Sequence, residues 1–325
     1  MANVNIRVFL SVRSGREMKI PFQEEEEDIM TKNANLHKAR NAKNDEFYTQ
    51  LEDVSEELMH YEEHFKDKIV LCNCDDPTWS AFWEYFHLNF SALGLKKLIS
   101  THYDKNNPTY RMEYTGGDDN NIEVGVKTPL EGNGDFRNKE CLDILDEADI
   151  VVTNPPFSLF REYVAILMEH EKRFLIIGNK NAITYKDFFP LLKNEDVWIG
   201  WNSPSEFITP NGWTTKLNGL TRWFTNLGIA KRHEKLVLRK KYDPEEYPRY
   251  DNYDAINVNK LSDIPVDYDG MMGVPISIMD KHNPEQFEII GWAKYPVPKI
   301  NGKSTYVRIL IRARHPHPAG VPGVI

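Results

Sequence analysis

The segment DIVVTNPPFSLFREY, residues 149–163, holds four residues whose types and order suit one chemistry: Asn154, Pro155, Pro156 and Phe157. The Asn154 side chain and the Pro155 main chain each offer a carbonyl acceptor. Pro155 and Pro156 have fixed φ and no N–H, so a turn built on them is stiff and presents acceptors only. Phe157 adds a flat ring. Two acceptors beside a ring suit a planar group carrying an exocyclic NH2: the acceptors take its two N–H bonds while the ring stacks on its face. Holding those hydrogens out of the conjugated plane localises the nitrogen lone pair. The amine then becomes a better nucleophile without a strongly basic side chain, and its proton can leave after transfer. The same four residues also fit a proline-stiffened loop with Phe157 in the core. The tetrad alone leaves both open.

A rigid frame must carry such a turn. Residues 50–66 predict a helix with Leu51, Val54, Leu58, Tyr61 and Phe65 near one face. KIVLCN, 68–73, reads as a buried strand. Residues 78–93 read as a helix whose aromatic stripe (Trp79, Phe82, Trp83, Phe86) belongs to the core. A second strand follows at 95–103, then a polar, Gly- and Asn-rich excursion at 104–134. The rest alternates: helix 138–147, strand 149–153, helix 158–170, strand 173–179, helix 184–194. Strands alternating with helices predict an α/β fold with a doubly wound, mostly parallel sheet. Ligands of such sheets sit outside the carboxyl ends of the strands, and the tetrad directly follows a strand. Beyond about residue 230 the alternation stops. The expected organisation is an appendage at 1–29, a catalytic domain at 30–230 and a smaller region at 231–325.

Composition narrows the class. The 325 residues are 41% hydrophobic and 27% charged, as expected of a soluble globular chain. No run approaches the roughly 18–20 apolar residues that span a bilayer, and no signal peptide is read at the start. Three cysteines, Cys72, Cys74 and Cys141, make a disulfide framework improbable and suit a reducing cytoplasm. Cys72-x-Cys74 has no second ligand pair at zinc spacing, so it is assigned to strand packing and no metal is expected. The net charge of −9 argues against wholesale attraction to nucleic acid. Its distribution is uneven. Residues 24–28 (EEEED) are all acidic, and Met30 follows as a possible internal start. Residues 31–44 contain no acid, and 231–241 (KRHEKLVLRKK) carry six Lys or Arg against Glu234 alone.

The ordered motifs then become specific. DEFYTQ (45–50), KIVLCNCDDP (68–77), GDFR (134–137), the tetrad segment, FLIIGN (174–179) and YDNYDAINVNK (250–260) together resemble the EcoRI-type adenine-specific DNA methyltransferases. The resemblance runs from about residue 30 to 310, leaving 1–29 and the HPHPAGVPGVI tail unmatched. It implies methyl transfer from S-adenosylmethionine to N6 of an adenine that is extruded from duplex DNA. It implies that Asn154 and Pro155 hold the target amine, with Pro156 stiffening the turn and Phe157 stacking on the base. Tyr48 and Thr49 would lie against the methionine end of the cofactor, Asp135 and Phe136 against its adenine. Asn73, Asp75 and Asp76 would border it too, although CNCDDP lacks the usual glycine. A second aromatic of the base clamp would be Phe207, with Trp213 behind it. The family further implies a monomer, with any cognate restriction endonuclease a system partner and not a subunit.

DNA contacts are expected C-terminally. On a helix, Lys231, Lys235 and Arg239 would share a stripe along a phosphate backbone, with Arg232, Lys240 and Lys241 nearby. Asn252, Asn257 and Asn259 are candidates for reading bases, since asparagine can pair bidentately with adenine. Their alternative role is to cap turns in a Pro- and Asp-rich loop. Two other readings stay compatible with the residues: a methyltransferase of another amine (an rRNA base or a protein glutamine), and a non-catalytic DNA-binding derivative.

Overall fold

The computed structural model describes residues 48–209, 213–217 and 219–316. The 1–29 appendage, the basic run at 31–44 and the tail from 317 lie outside them. Two compact units divide the chain: residues to 182 with 202–227, and residues 183–201 with 228 onward. The stretch 183–201, expected within the first domain, therefore belongs to the second unit.

The first unit opens with β1 (Tyr48–Thr49), α1 (Leu51–Leu58), β2 (Ile69–Cys72), α2 (Ala81–Leu88), α3 (Phe90–Leu93) and β3 (Lys97–Thr101). Next come β4 (Tyr110–Tyr114), β5 (Val126–Pro129), α4 (Lys139–Glu147), β6 (Ile150–Thr153), α5 (Phe160–Glu169) and β7 (Arg173–Asn179). Residues 183–201 then supply α6 (Phe189–Lys193) and β8 (Trp198–Ile199) to the second unit. The first unit closes with β9 (Glu206–Ile208), β10 (Thr214–Lys216) and β11 (Thr221–Thr225).

Its large sheet runs β5-β4-β3-β2-β6-β7-β11. The centre, β3-β2-β6-β7, is parallel. β4 and β5 extend it antiparallel on one side and β11 on the other. The sheet is thus mixed, and the expectation of a mostly parallel one is corrected. The reason at β4 is connection length: residues 102–109 are too few for a crossover helix, so the chain returns antiparallel. The central strands are buried on both faces. Val70, Leu71, Ile150, Val151, Val152, Leu175 and Ile176 are all fully inaccessible, which is why they read as continuous apolar runs and not as alternation.

Two local differences from the sequence-based expectation matter. Helix α1 stops at Leu58 and a 3-10 turn takes over at Glu62–His64, yet Tyr61 and Phe65 remain buried as the apolar pattern required. Helix α2 starts only at Ala81, because the Ser80 hydroxyl caps it by accepting from Trp83 N at 3.3 Å. Phe82, Trp83 and Phe86 enter the core. Trp79 precedes the cap and is 45% exposed, so its assignment to the core is corrected. Beside the large sheet, β1, β9 and β10 form a small antiparallel sheet in which Thr49 is paired with Phe207.

The second unit contains β12 (Ala255–Asn257), β13 (Met271–Val274), β14 (Phe287–Ala293), β15 (Lys299–Ile300), β16 (Lys303–Ser304) and β17 (Arg308–Ala313). Its four-stranded sheet is ordered β12-β13-β17-β14. The run 231–241 is no helix. A 3-10 turn covers Ala230–His233 and the chain is then extended. The Gln286 side chain holds it so, accepting from Leu236 N at 2.6 Å and donating to Leu236 O at 3.0 Å. The expected stripe of Lys231, Lys235 and Arg239 does not exist.

Candidate active site

Strands β2, β3 and β6 end side by side. From β2 the chain proceeds to β3 on one flank, whereas β6 lies on the other and leads outward to β7, so the order reverses between β2 and β6. A crevice is expected at the carboxyl ends at such a reversal. A cavity of about 360 Å³ lies there, within the range of about 300–1,000 Å³ of small-molecule sites. Five chain segments line it: Tyr48; 73–76 with Trp79; 102–104; 134–137; and 154–157 with Leu159.

The tetrad forms the wall that follows β6. Leu159 N donates to Pro156 O at 2.9 Å and Phe160 N to Phe157 O at 3.4 Å, turning the chain into α5. Asn154 and Pro155 are buried and Phe157 is half-buried. Asn154 Nδ2 donates to Thr49 Oγ1 at 3.3 Å. In that arrangement the amide NH2 of Asn154 faces the Thr49 hydroxyl. Thr49 itself is buried and does not line the cavity, unlike its neighbour Tyr48. Tyr48 stacks on Trp79 with ring centroids 4.0 Å apart.

The facing walls are acidic. Asp75 is buried, its Oδ2 accepting from Ser80 Oγ at 3.5 Å. Asp76 accepts from Thr78 N, Thr78 Oγ1 and Tyr110 OH at 2.7–2.9 Å, and lies 3.4 Å from His102 Nε2. Burial pushes the Asp76 carboxyl upward, but the hydrogen bonds from Thr78 and Tyr110 outweigh it and hold the group below its ordinary range. Burial depresses the pKa of His102 and so favours the neutral ring, against the opposing pull of the Asp76 charge. Asp135 is held low by the Arg137 guanidinium, whose Nε and Nη2 lie 2.8 and 2.5 Å from its oxygens. Gly134 (φ +73) lets this segment approach β3: a Cβ there would sit 1.8 Å from the His102 carbonyl oxygen.

Helix α5 braces both walls. Tyr163 OH donates to Asn73 Oδ1 at 2.5 Å, and its ring meets Phe136 edge-on with centroids 4.9 Å apart. A cavity with four carboxylates (Asp75, Asp76, Asp104, Asp135) and the rings of Tyr48, Trp79, Phe136 and Phe157 favours a ligand that is cationic and carries a flat heterocycle.

Of the residues singled out in the sequence, the cavity brings together Tyr48, Asn73, Asp75, Asp76, Asp135, Phe136 and the whole tetrad. Phe207 is placed elsewhere. It is fully buried in β9, opposite Thr49 of β1, and does not line the cavity. Trp213 is 66% exposed and does not line the cavity. Cys72 packs in β2 as expected, but Cys74 lines the cavity. Trp79, His102, Tyr103, Asp104 and Arg137 were missed. Arg137 sits in the quoted GDFR, and 102–104 lie at the carboxyl end of the strand predicted at 95–103, so both were within reach of the rim argument.

In the second unit several of the residues expected to contact DNA have partners within the unit. Lys231 Nζ donates to the carbonyls of Gly200 and Trp201 at 3.1 and 2.6 Å. Arg232 pairs with Glu195 at 2.8 Å and lies over the Trp198 ring, and Lys240 pairs with Glu246 and Asp263. Lys235, Arg239 and Lys241 are exposed. Asn252 bridges backbone, donating to Val297 O and accepting from Lys299 N, both at 2.9 Å. Asn257 is bonded to Tyr250 OH and Asn259, and Asn259 accepts from Arg308. All three asparagines carry hydrogen bonds within the unit, as in the turn-tying role that was the alternative to base reading.

A family model described as adenine-specific methyltransferase EcoRI matches residues 35–306. The chain is 47% identical over 311 residues to the type II methyltransferase M.EcoRI of Escherichia coli, covering 85% of this chain and 95% of that one. It is 36% identical over 319 residues to M.MpnI of Mycoplasma pneumoniae, covering 86% and 98%. M.MgeORF184P of Mycoplasma genitalium is also 36% identical over 319 residues, covering 85% and 98%. No solved structure matches the chain. Among the described residues no helix is long and apolar enough to cross a membrane.

Proposed function

The chain belongs to the EcoRI family of adenine-specific methyltransferases and is a DNA methyltransferase, and on that premise we propose that it methylates N6 of an extruded adenine at the cavity between β2 and β6. One observation carries the reading: the tetrad and the acidic, aromatic walls share a single cavity at the point where strand order reverses. The methyl donor we assign to it is S-adenosylmethionine, whose sulfonium and ammonium charges suit the carboxylates and whose adenine suits the rings. When bound, that cofactor supplies an electrophilic methyl group.

Each residue then has a task. Asp135 accepts from the cofactor's adenine amine while Phe136 packs against the ring. Asp75, Asp76 and Asn73 border the ribose and methionine portions, with Tyr48 and Trp79 closing that end. The Asn154 carboxamide oxygen and the Pro155 carbonyl accept the two N–H bonds of the target adenine, and Phe157 stacks on it. Thr49 acts through Asn154 as a positioning residue: with Nδ2 turned toward Thr49, the carboxamide oxygen is the atom left to face the amine. The second unit provides the DNA recognition region. The enzyme works as a monomer, with any cognate endonuclease a separate protein.

The test is chemical. Duplex DNA incubated with the protein and S-adenosylmethionine is digested to nucleosides and analysed by mass spectrometry. N6-methyldeoxyadenosine is expected. N4-methylcytosine, which the same acceptor geometry could produce, or methyl groups appearing only on RNA or protein, would overturn the assignment.

A further inference from the structure

From residue 289 to the C-terminus the sequence contains no Asp or Glu, yet it carries Lys294, Lys299, Lys303, Arg308, Arg312 and Arg314, in a chain of net charge −9. Part of this run forms one projecting feature. Strands β14 and β17 are paired up to Ala293 and Arg308. The 14 residues between those two form an arm that folds back as the ribbon β15–β16. Its turn is Asn301-Gly302, with φ of +51 and +77, the pattern of a tight two-residue hairpin.

The arm is exposed and held firmly. Tyr295 is 83% and Tyr306 78% exposed, whereas Tyr247 and Tyr250 of the same unit are buried. Lys299 and Lys303 are exposed, and Lys299 shares one face of the ribbon with Ser304. Ile300 packs on the core cluster of Tyr250, Ala255, Ala293 and Leu310. The segment 251–253 supplies the brace. Asp251 accepts from the N–H groups of Asn301 and Gly302 at 3.1 and 2.7 Å, and Asn252 bridges Val297 and Lys299. Tyr253 OH donates to Pro296 O at 2.6 Å.

Ordering a hydrated cationic loop with two solvent-facing tyrosines costs conformational entropy, and no burial within the unit offsets it for those side chains. A surface of that kind fits a polyanion. We propose that the 294–307 arm is a contact element for the DNA backbone, in which Lys299 and Lys303 neutralise phosphates and Tyr295 and Tyr306 pack beside them. A two-stranded ribbon has the width that the major groove of duplex DNA admits. The arm thus replaces the 231–241 run as the basic DNA-binding element, and the inference rests on the reading of the chain as a DNA methyltransferase.

The test measures affinity for a labelled non-cognate duplex across a salt series, for the full chain and for two double variants. Each lysine–phosphate contact contributes a slope of about 0.9 in log affinity against log salt, or about eight-fold at 0.1 M. Lys299→Gln with Lys303→Gln should therefore bind about 60-fold more weakly at about 0.1 M salt, with a slope shallower by about 1.8. Its thermal unfolding and cofactor affinity should match wild type. Lys299→Arg with Lys303→Arg should keep the wild-type slope. A glutamine variant with wild-type affinity and slope would overturn the arm alone and leave the methyltransferase reading standing. The same holds if that variant lost only binding to anionic lipid vesicles. Failure of the wild type to bind duplex DNA would overturn both.

Discussion

Replacing Thr49 by valine keeps shape and volume near β-branched packing but removes the hydroxyl that accepts from Asn154 Nδ2. Both residues are less than a tenth exposed, so solvent does not readily substitute for the lost partner. The bond is 3.3 Å long, beyond the common 2.9–3.0 Å, so a typical net value of about 1 kcal/mol is the appropriate scale. If that energy holds the carboxamide oxygen toward the target amine, its loss lowers kcat about five-fold. Cofactor affinity should not move, because Thr49 does not line the cavity. Steady-state transfer of labelled methyl to duplex DNA gives kcat, and calorimetry gives the cofactor Kd. Thr49→Ser, which restores a hydroxyl, should recover most of the rate. An unchanged kcat in Thr49→Val would refute the positioning role. A loss confined to cofactor Kd would return Thr49 to direct cofactor contact.

Three further outcomes follow from the same geometry. Phe157→Ala should weaken capture of the target base by about 1–3 kcal/mol, the worth of one stacking contact, while Phe157→Trp retains more activity; equal rates for the two would exclude stacking. Asp135→Asn should lower thermal stability at neutral pH. Because Arg137 depresses the folded pKa of Asp135 below its ordinary 3.8, that stabilisation is complete above the unfolded value and fades as pH falls through the folded one. The melting-temperature gap between wild type and variant should therefore stay constant from about pH 8 to 5 and close below about pH 4; a gap closing near neutrality would contradict it. A chain beginning at Met30 should methylate at the wild-type rate, since the family match starts at residue 35; loss of activity would assign residues 1–29 a role.

The parallel centre of the fold was legible because double-sided burial writes itself as apolar runs: KIVLCN, DIVVT and RFLIIGN all became strands of the large sheet. The tetrad was legible for a different reason, since few other uses explain an amide, two prolines and a ring after a buried strand. The antiparallel strands were hidden. β5 is exposed along its whole length, so it carries no apolar period to detect. Trp79 has helical spacing with Phe82, Trp83 and Phe86, and only the Ser80 cap reveals that it stands outside the helix. The burial of Phe207 away from the cavity was not legible, because aromatic type says nothing about which side of a short strand faces inward. The 231–241 run looked helical by charge spacing alone, without an apolar face to fold against. Asn252 carried the right chemistry for base reading, but its amide edge is used by the backbone of an arm some 45 residues downstream, a relation no local pattern encodes.

The central claim is that the tetrad acts on the target amine while other residues hold the cofactor. Asn154→Ala separates the two in one preparation: cofactor affinity by calorimetry, and methyl transfer to duplex DNA in a single turnover. The account predicts a cofactor Kd close to wild type with transfer almost abolished. Transfer at the wild-type rate, or a loss of transfer that tracks a matching loss of cofactor binding, would contradict it.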